Sequence, residues 1–317
     1  MAVTGESGVS PSGASPSAAG GRLDLAELRR RYDEQLRREA EVTHALEVVE
    51  HGPLLWSVFP GGRGFVTYRD LGGLEGADLD RLIAETVAHF RDDPSVIRFE
   101  WKTRGHDLPT DLPDRLVANG ILPMDVETVM VGRADAVAAP VDLPPGFVVR
   151  EAGSTGDLEG DVTRLTALQH EAFGSDAGPS VEETLAAVRG SAGAVRLWLA
   201  ETVGAGSAGA AGSAGAGGGS SAAAVASDPD GAPATVVSGG RLEIVPGTAF
   251  AGLWGGATLA AYRGRGIYRA VTAARARAAV EAGVVYLQSD CTPFSRPILE
   301  RSGLVAVTTT TPYVWRR

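Results

Sequence analysis

Apolar residues along the first half of the chain change spacing in a way that separates helices from strands. In "LDLAELRRRYDEQLRREA", Leu23 to Ala40, the residues Leu25, Leu28, Tyr32 and Leu36 recur at helical spacing with charges between them, which predicts an amphipathic helix. From Ala45 to Tyr68 the pattern alternates and turns: "ALEVVEHGPLLWSVF", then "PGGRG", then "FVTY". These are strands with a hairpin at Pro60 to Gly64. "ADLDRLIAETVAHFRDD" returns to helical spacing, with Leu79, Leu82, Ile83, Thr86, Val87 and Phe90 on one side. "SVIRFEW" reads as a strand, "LPDRLVANG" as a short helix ended by Gly120, and "VETVMVG" as a further strand.

A Pro-rich connection, "DAVAAPVDLPPGF", follows and marks the best domain boundary. Beyond it come a strand at "FVVREA", helices over "DVTRLTALQHEAF" and "SVEETLAAVRG", and a strand at "AVRLWLAET". Residues 203–234 are mostly Gly, Ala and Ser, which predicts a flexible insert between two strands. Strands resume at "TVVSGGRLEIV" and "FAGLWGGATLA". A helix over "IYRAVTAARARAAVEAG", the strand "VVYLQSD", a short helix "SRPILERSG" and a terminal strand "VAVTTTTPYVW" close the sequence. "RLVANGILPMDVETVMVGR" and "ILERSGLVAVTTTTPYVWRR" match in order: short helix, glycine step, Thr-containing strand. The chain therefore reads as an α/β protein built from two copies of one unit. The expected boundaries are a disordered tail at 1–21, a first domain at 22–134, a linker at 135–146 and a second domain at 147–317.

Composition narrows the function. The 317 residues carry 29 Lys and Arg against 39 Asp and Glu, a formal net charge of −10. That balance argues against nucleic-acid and anionic-membrane binding, which need basic surfaces. Cys291 is the only cysteine, so no intramolecular disulfide or cysteine-based metal cluster is expected. His44, His51, His89, His106 and His170 show no metal-ligand spacing. The first residues have neither a basic nor an apolar leader segment, and no apolar run reaches membrane-spanning length, so a cytoplasmic protein is expected.

Against this acidic background "YRGRGIYRAV", Tyr262 to Val271, stands out. Gly264 and Gly266 precede a helix start, where free amides and the positive dipole end favour an anion, and Arg263, Arg265 and Arg269 add charge. A Walker loop would need Lys and Ser or Thr where Ile267 and Tyr268 stand. A dinucleotide fingerprint would need a small residue where Arg269 stands, early in a parallel unit. A plain tight turn is the bland alternative.

"RGRGIY", with the order of elements across 147–317, resembles the Arg-x-x-Gly-x-Gly/Ala loop of the GCN5-related N-acetyltransferases, the GNAT family. The resemblance implies two tandem GNAT-like domains, each a mixed, mostly antiparallel sheet flanked by helices. It also implies that acetyl-CoA is the co-substrate, without a metal, and that its acetyl group passes to a small-molecule or peptide amine by direct attack. The amides of Arg263, Gly264, Arg265, Gly266 and Ile267 would hold the pyrophosphate, with Tyr268 in place of the loop's last small residue. Thr258 and Leu259, at the end of the preceding strand, would pair with the pantetheine arm. Thr292 replaces the family's frequent Asn, and Leu299 its frequent Tyr acid. A thiol leaves as a thiolate with a pKa of about 8.5 and needs little help, whereas an alkyl ammonium near ~10.4 must lose a proton first. A base is therefore the sharper need, and Glu243 and Asp290 are the candidates. Tyr268, Tyr286 and Tyr313 are possible proton donors, Cys291 a possible nucleophile, and His170 with Glu171 a substrate-side candidate. In the first half the corresponding stretch, "RDLGGLEGADLD", places Asp70, Glu75, Asp78 and Asp80 where an anion would sit, so that copy is expected not to bind the cofactor in the same way. The rival readings are a non-catalytic acyl-CoA-binding module and a pure interaction protein. The oligomeric expectation is a monomer or homodimer.

Overall fold

The computed structural model describes residues 24–174, 178–203 and 234–317. The expected tail and nearly all of the Gly/Ala/Ser insert lie outside them. The first half runs α1 (Leu25–Leu36), β1 (Glu47–His51), β2 (Leu54–Phe59), β3 (Arg63–Thr67), α2 (Gly76–Asp92), β4 (Arg98–Arg104), α3 (Leu112–Ala118), β5 (Leu122–Pro123), β6 (Glu127–Arg133) and α4 (Ala134–Val137). The second runs β7 (Phe147–Glu151), α5 (Leu158–Phe173), α6 (Val181–Gly190), β8 (Val195–Thr202), β9 (Val236–Ile244), β10 (Phe250–Thr258), α7 (Ile267–Glu281), β11 (Tyr286–Cys291), α8 (Arg296–Arg301) and β12 (Val305–Arg316). The order β3–α2–β4–α3–β6 recurs as β10–α7–β11–α8–β12, so the internal repeat is real.

Two boundaries depart from the sequence pattern for tertiary reasons. Helix α1 stops at Leu36, short of Ala40, because Arg37 is extended and Arg38 adopts a φ of 64°. Arg37 is 2% exposed and its Nε donates to the Tyr68 carbonyl at 3.1 Å, a contact that outweighs helix propensity. A 3-10 turn, Arg38–Glu41, follows. Strand β4 begins later and ends later than "SVIRFEW" because its register is set by β12, from Thr310 opposite Arg104 to Arg316 opposite Arg98.

All strands join one sheet in the order β1-β2-β3-β4-β12-β6-β11-β10-β9-β8-β7, with β5 beside β12. Among the described residues only β3–β4 and β10–β11 are parallel, and each pair is joined by a crossover helix, α2 or α7. The sheet is therefore mixed and mostly antiparallel. The two halves do not close separately, because each lends its last strand to the other: β12 pairs with β4, and β6 pairs with β11. Trp315 of β12 stacks on Phe99 of β4 at 5.7 Å, and Tyr313 is buried in the core of the first half. Helix α7 covers one face of the second half, while α1 lies on the opposite face, against Val129, Val131 and Phe250.

Candidate functional site

Strands β10 and β11 pair only from Phe250–Tyr286 to Gly252–Gln288, then part. A bulge in β10 drives the separation: Arg241 faces Trp254 and Gly239 faces Ala257, which leaves Gly255 and Gly256 opposite Gly240. The bulge is clamped from both faces of the sheet. Gln169 of α5 donates to the Gly255 carbonyl at 2.8 Å, and the buried Arg275 of α7 donates to the Arg241 carbonyl at 3.1 Å. A Cβ at 240 would lie 2.6 Å from Arg275 Nη1, so any larger residue there would displace the Arg275 guanidinium.

The loop between this strand and α7 is a single 3-10 turn, Ala260–Tyr262, followed by Gly264 (φ 75°) and Gly266 (φ 81°). Gly266 caps α7 in the left-handed region and offers no side chain to the helix amides. Among the described residues, none of the amides from Gly264 to Arg269 meets a protein acceptor. The first turn of α7 contains no acidic residue, and a Cβ at Gly264 would touch nothing within 4 Å. This is a run of unpartnered donors at the positive end of a 15-residue helix, exposed at Gly264 and Arg265. Arg263 and Arg265 are exposed beside it; Arg263 Nε donates to the Thr258 carbonyl at 3.1 Å, and Arg265 lies 5.4 Å over the Tyr262 ring. Ile267 is buried and anchors the helix start.

Thr258 and Leu259 lie beside the loop, but their backbone is largely engaged within the protein. Leu259 donates to Val237 and accepts from Tyr262, both at 2.9 Å. The Thr258 carbonyl takes Arg263, and its hydroxyl meets Ser238 at 2.8 Å. Thr292 is exposed after β11, with its carbonyl accepting the amides of Ser295 and Arg296 that begin α8. Leu299 is 1% exposed in the core, where no acid could act. Tyr268 packs beneath Gly256, Tyr286 beside Phe250, and Tyr313 belongs to the first half's core. Cys291 is buried and its thiol is pushed up to about 11, chiefly by burial, which disfavours a nucleophilic thiolate. His170 serves the end of α5 through its carbonyl, which accepts from Gly174.

The two carboxylates nominated as bases have different surroundings. Glu243 projects from β9 opposite Gly252, the last residue of β10 paired before the split. Its side chain is 23% exposed, with Arg241 Nη2 at 3.2 Å and His44 Nε2 at 3.6 Å. It lines a cavity of about 330 Å³ that also touches Gly252 and Gln288. Asp290, with its side chain 4% exposed, accepts from Lys102 Nζ at 2.8 Å and from Gln288 Nε2 at 2.6 Å. Lys102 comes from β4 and is also 3.5 Å from Glu41, which Arg104 Nη2 reaches at 2.5 Å. Burial alone would lower the Lys102 pKa, but Asp290 and Glu41 outweigh it and hold the ammonium charged. Burial would likewise raise Glu41, yet Arg104 and Lys102 bring it down to about 2.

Lys102, Arg104, Glu41 and Arg241 are site residues that the sequence reading did not nominate. A signal was present in "RFEWKTR": charges at Arg98, Glu100, Lys102 and Arg104 alternate with Phe99, Trp101 and Thr103, a charged stripe on an otherwise buried strand.

At the corresponding strand ends the first half has a cavity of its own, of about 720 Å³. The parallel pair β3–β4 is zipped from Arg63–Arg98 to Val66–Trp101. Beyond it, Asp107 accepts from the Tyr68 hydroxyl at 2.6 Å and from the Arg104 amide at 2.7 Å, with Arg37 Nη1 at 2.9 Å. Arg37, Tyr68 and Asp107 line that cavity together with Asp70 and Glu75.

Among the described residues no helix is long and apolar enough to cross a membrane, and no cluster of three or more His, Cys, Asp or Glu is placed to hold a metal. No protein-family model matches the sequence, and no curated protein matches it. Solved structures do match in fold. A GCN5-related N-acetyltransferase from Kribbella flavida aligns over 91% of this chain and 94% of its own, at 15% identity and a TM-score of 0.58. A second from Sphaerobacter thermophilus aligns over 85% and 75%, at 13% identity and 0.56. A tandem GNAT protein from the clavulanic acid biosynthesis pathway aligns over 83% and 78%, at 13% identity and 0.52.

Proposed function

The chain carries the fold of the GCN5-related N-acetyltransferases in tandem form, and on that footing we propose that it transfers an acetyl group from acetyl-CoA to an amine. One observation carries the proposal: among the described residues the amides from Gly264 to Arg269 have no protein acceptor, in the loop that follows β10, the strand that parts from β11. Backbone donors, a helix N-terminus and two exposed arginines suit a pyrophosphate. When bound, acetyl-CoA supplies an acetyl thioester whose sulfur departs as the thiol.

The chain's own part is to position the amine and receive its proton. Glu243 is the base in this reading, because it lines the cavity and, among the described residues, its Oε1 meets only His44, at 3.6 Å, whereas both Asp290 oxygens are held by Lys102 and Gln288. Asp290 is a positioning residue that fixes Lys102 and Gln288 at the cavity wall. No residue is asked to protonate the leaving sulfur, which accords with Leu299 at the usual acid position. The first half contributes walls to the cavity beside Glu243.

Amine-dependent thiol release from acetyl-CoA tests the proposal. Glu243→Gln should lower turnover about 100-fold or more, the usual contribution of a positioned base, with acetyl-CoA binding retained. Full turnover in that variant would remove Glu243 from the role. Leu299 supports the second reading, an acyl-CoA-binding module without turnover, and binding with no thiol release across primary amines would favour it.

A further inference from the structure

The cavity beside Glu243 belongs to both halves of the chain. Tyr32 and Leu36 of α1 and Phe59 and Phe65 of the β2–β3 hairpin face Trp254 and Val245 of the second half across it. Its floor is Gly252 and Gln288, the last pair before the sheet opens. At about 330 Å³ it falls near the small end of small-molecule sites, about 300–1,000 Å³.

The charges on its wall (Glu41, Lys102, Arg241 and Glu243) and those just behind it (Arg104 and Asp290) divide into two sets. Lys102, Asp290, Glu41 and Arg104 bind one another closely and have little left to offer a ligand. Arg241 and Glu243 do not. They project from the same face of β9, two residues apart, and meet only through Nη2 and Oε2 at 3.2 Å. Arg241 Nε is buried without a partner, and among the described residues no other acceptor engages the guanidinium. A buried guanidinium donor left unpaired is costly, and its fork geometry matches a carboxylate. A cation receptor and an anion receptor therefore lie side by side at the reaction end of a largely aromatic and aliphatic cavity.

We infer that this cavity seats a free α-amino acid with an apolar side chain. Its carboxylate lies on Arg241, its amine at Glu243, and its side chain among Phe59, Phe65 and Trp254. As the identity of the acceptor, the inference rests on the acetyl-transfer reading; as a binding site, it stands on the cavity alone. A simple amine would leave Arg241 Nε without an acceptor, and a simple acid would bring a second carboxylate beside Glu243 with no ammonium to accompany it.

Calorimetric titration of the intact protein tests this directly. The probes are L-phenylalanine, L-leucine and L-methionine, each beside the amine that lacks its carboxylate and the acid that lacks its amine. At least one amino acid should bind tenfold or more tighter than both of its truncated forms. Arg241→Met should reduce the preference over the amine to less than threefold without moving the unfolding midpoint. Equal or tighter binding of the simple amines overturns the inference, as does absence of binding by every probe to a protein that binds acetyl-CoA. Discrimination through Arg241 in a protein that does not bind acetyl-CoA would sink the acetyl-transfer reading and leave the amino-acid site standing.

Discussion

The Lys102–Asp290 ion pair ties β4 of the first half to β11 of the second, and breaking it should be among the most damaging single changes near the cavity. The two charged atoms are 2.8 Å apart, with side chains 17% and 4% exposed. At an effective dielectric near 20 their attraction is about 6 kcal/mol, before the opposing cost of removing both from water. The pair as a whole therefore contributes little net stability, but loss of one partner leaves a buried charge alone. Lys102→Met leaves Asp290 with the Gln288 amide as its hydrogen-bond donor and Arg104 as a more distant positive charge, which should cost about 3–5 kcal/mol. Replacing both, as Lys102→Met with Asp290→Leu, removes the stranded charge and should cost clearly less than the sum of the single changes. Urea unfolding of the parent, both single variants and the double variant, followed by tryptophan fluorescence, measures the coupling. Single losses below about 1 kcal/mol that add without coupling would refute a buried, mutually dependent pair.

Three further expectations follow from the fold and the charges. Deleting β12 should unfold the first half as well as the second, because it removes Tyr313, Trp315 and the whole ladder to β4; native-like hydrogen-exchange protection of β4 in the truncated chain would contradict this. Glu41, held at about 2 in the folded protein against about 4.3 unfolded, contributes about 3 kcal/mol that is present above pH 4.3 and lost as pH falls toward 2. Burial raises Glu100 and Glu127, which act in the opposite sense, so the difference between the parent and Glu41→Gln isolates the effect: it should shrink steadily between pH 5 and about 2, and a pH-independent difference would refute the assignment. Gly240→Ala, whose Cβ meets Arg275, should destabilise by about 1–3 kcal/mol and weaken acetyl-CoA binding, whereas a silent substitution would show that the bulge clamp is unimportant.

What could be read in the sequence is what is local. The glycine loop, the start of α7 at Ile267 and the strands around the bulge are encoded within about twenty consecutive residues, and the structure places them as the spacing predicts. The internal repeat was legible for the same reason. The exchange of β6 and β12 was not, since the pattern of a strand fixes which face is buried but not which neighbour it pairs with. The Lys102–Asp290 pair joins residues 188 positions apart, and nothing near either one announces the other. Glu243 was legible as a carboxylate on the strand beside the split. Its partner Arg241 was not, because its significance lies in a donor without an acceptor, which only packing reveals.

The central claim is that the loop from Arg263 to Tyr268 binds the pyrophosphate of coenzyme A. Calorimetric titration of acetyl-CoA into the intact protein, beside an Arg263→Ala, Gly266→Asp double variant, tests it most directly. Aspartate tolerates the left-handed backbone at 266 better than most residues and places a negative charge before the helix amides, so the variant should fold with an unchanged unfolding midpoint. The account expects one site in the parent and binding weaker by about 100-fold or more in the variant, close to 2.7 kcal/mol. A parent that does not bind, or a folded variant that binds equally well, would contradict it.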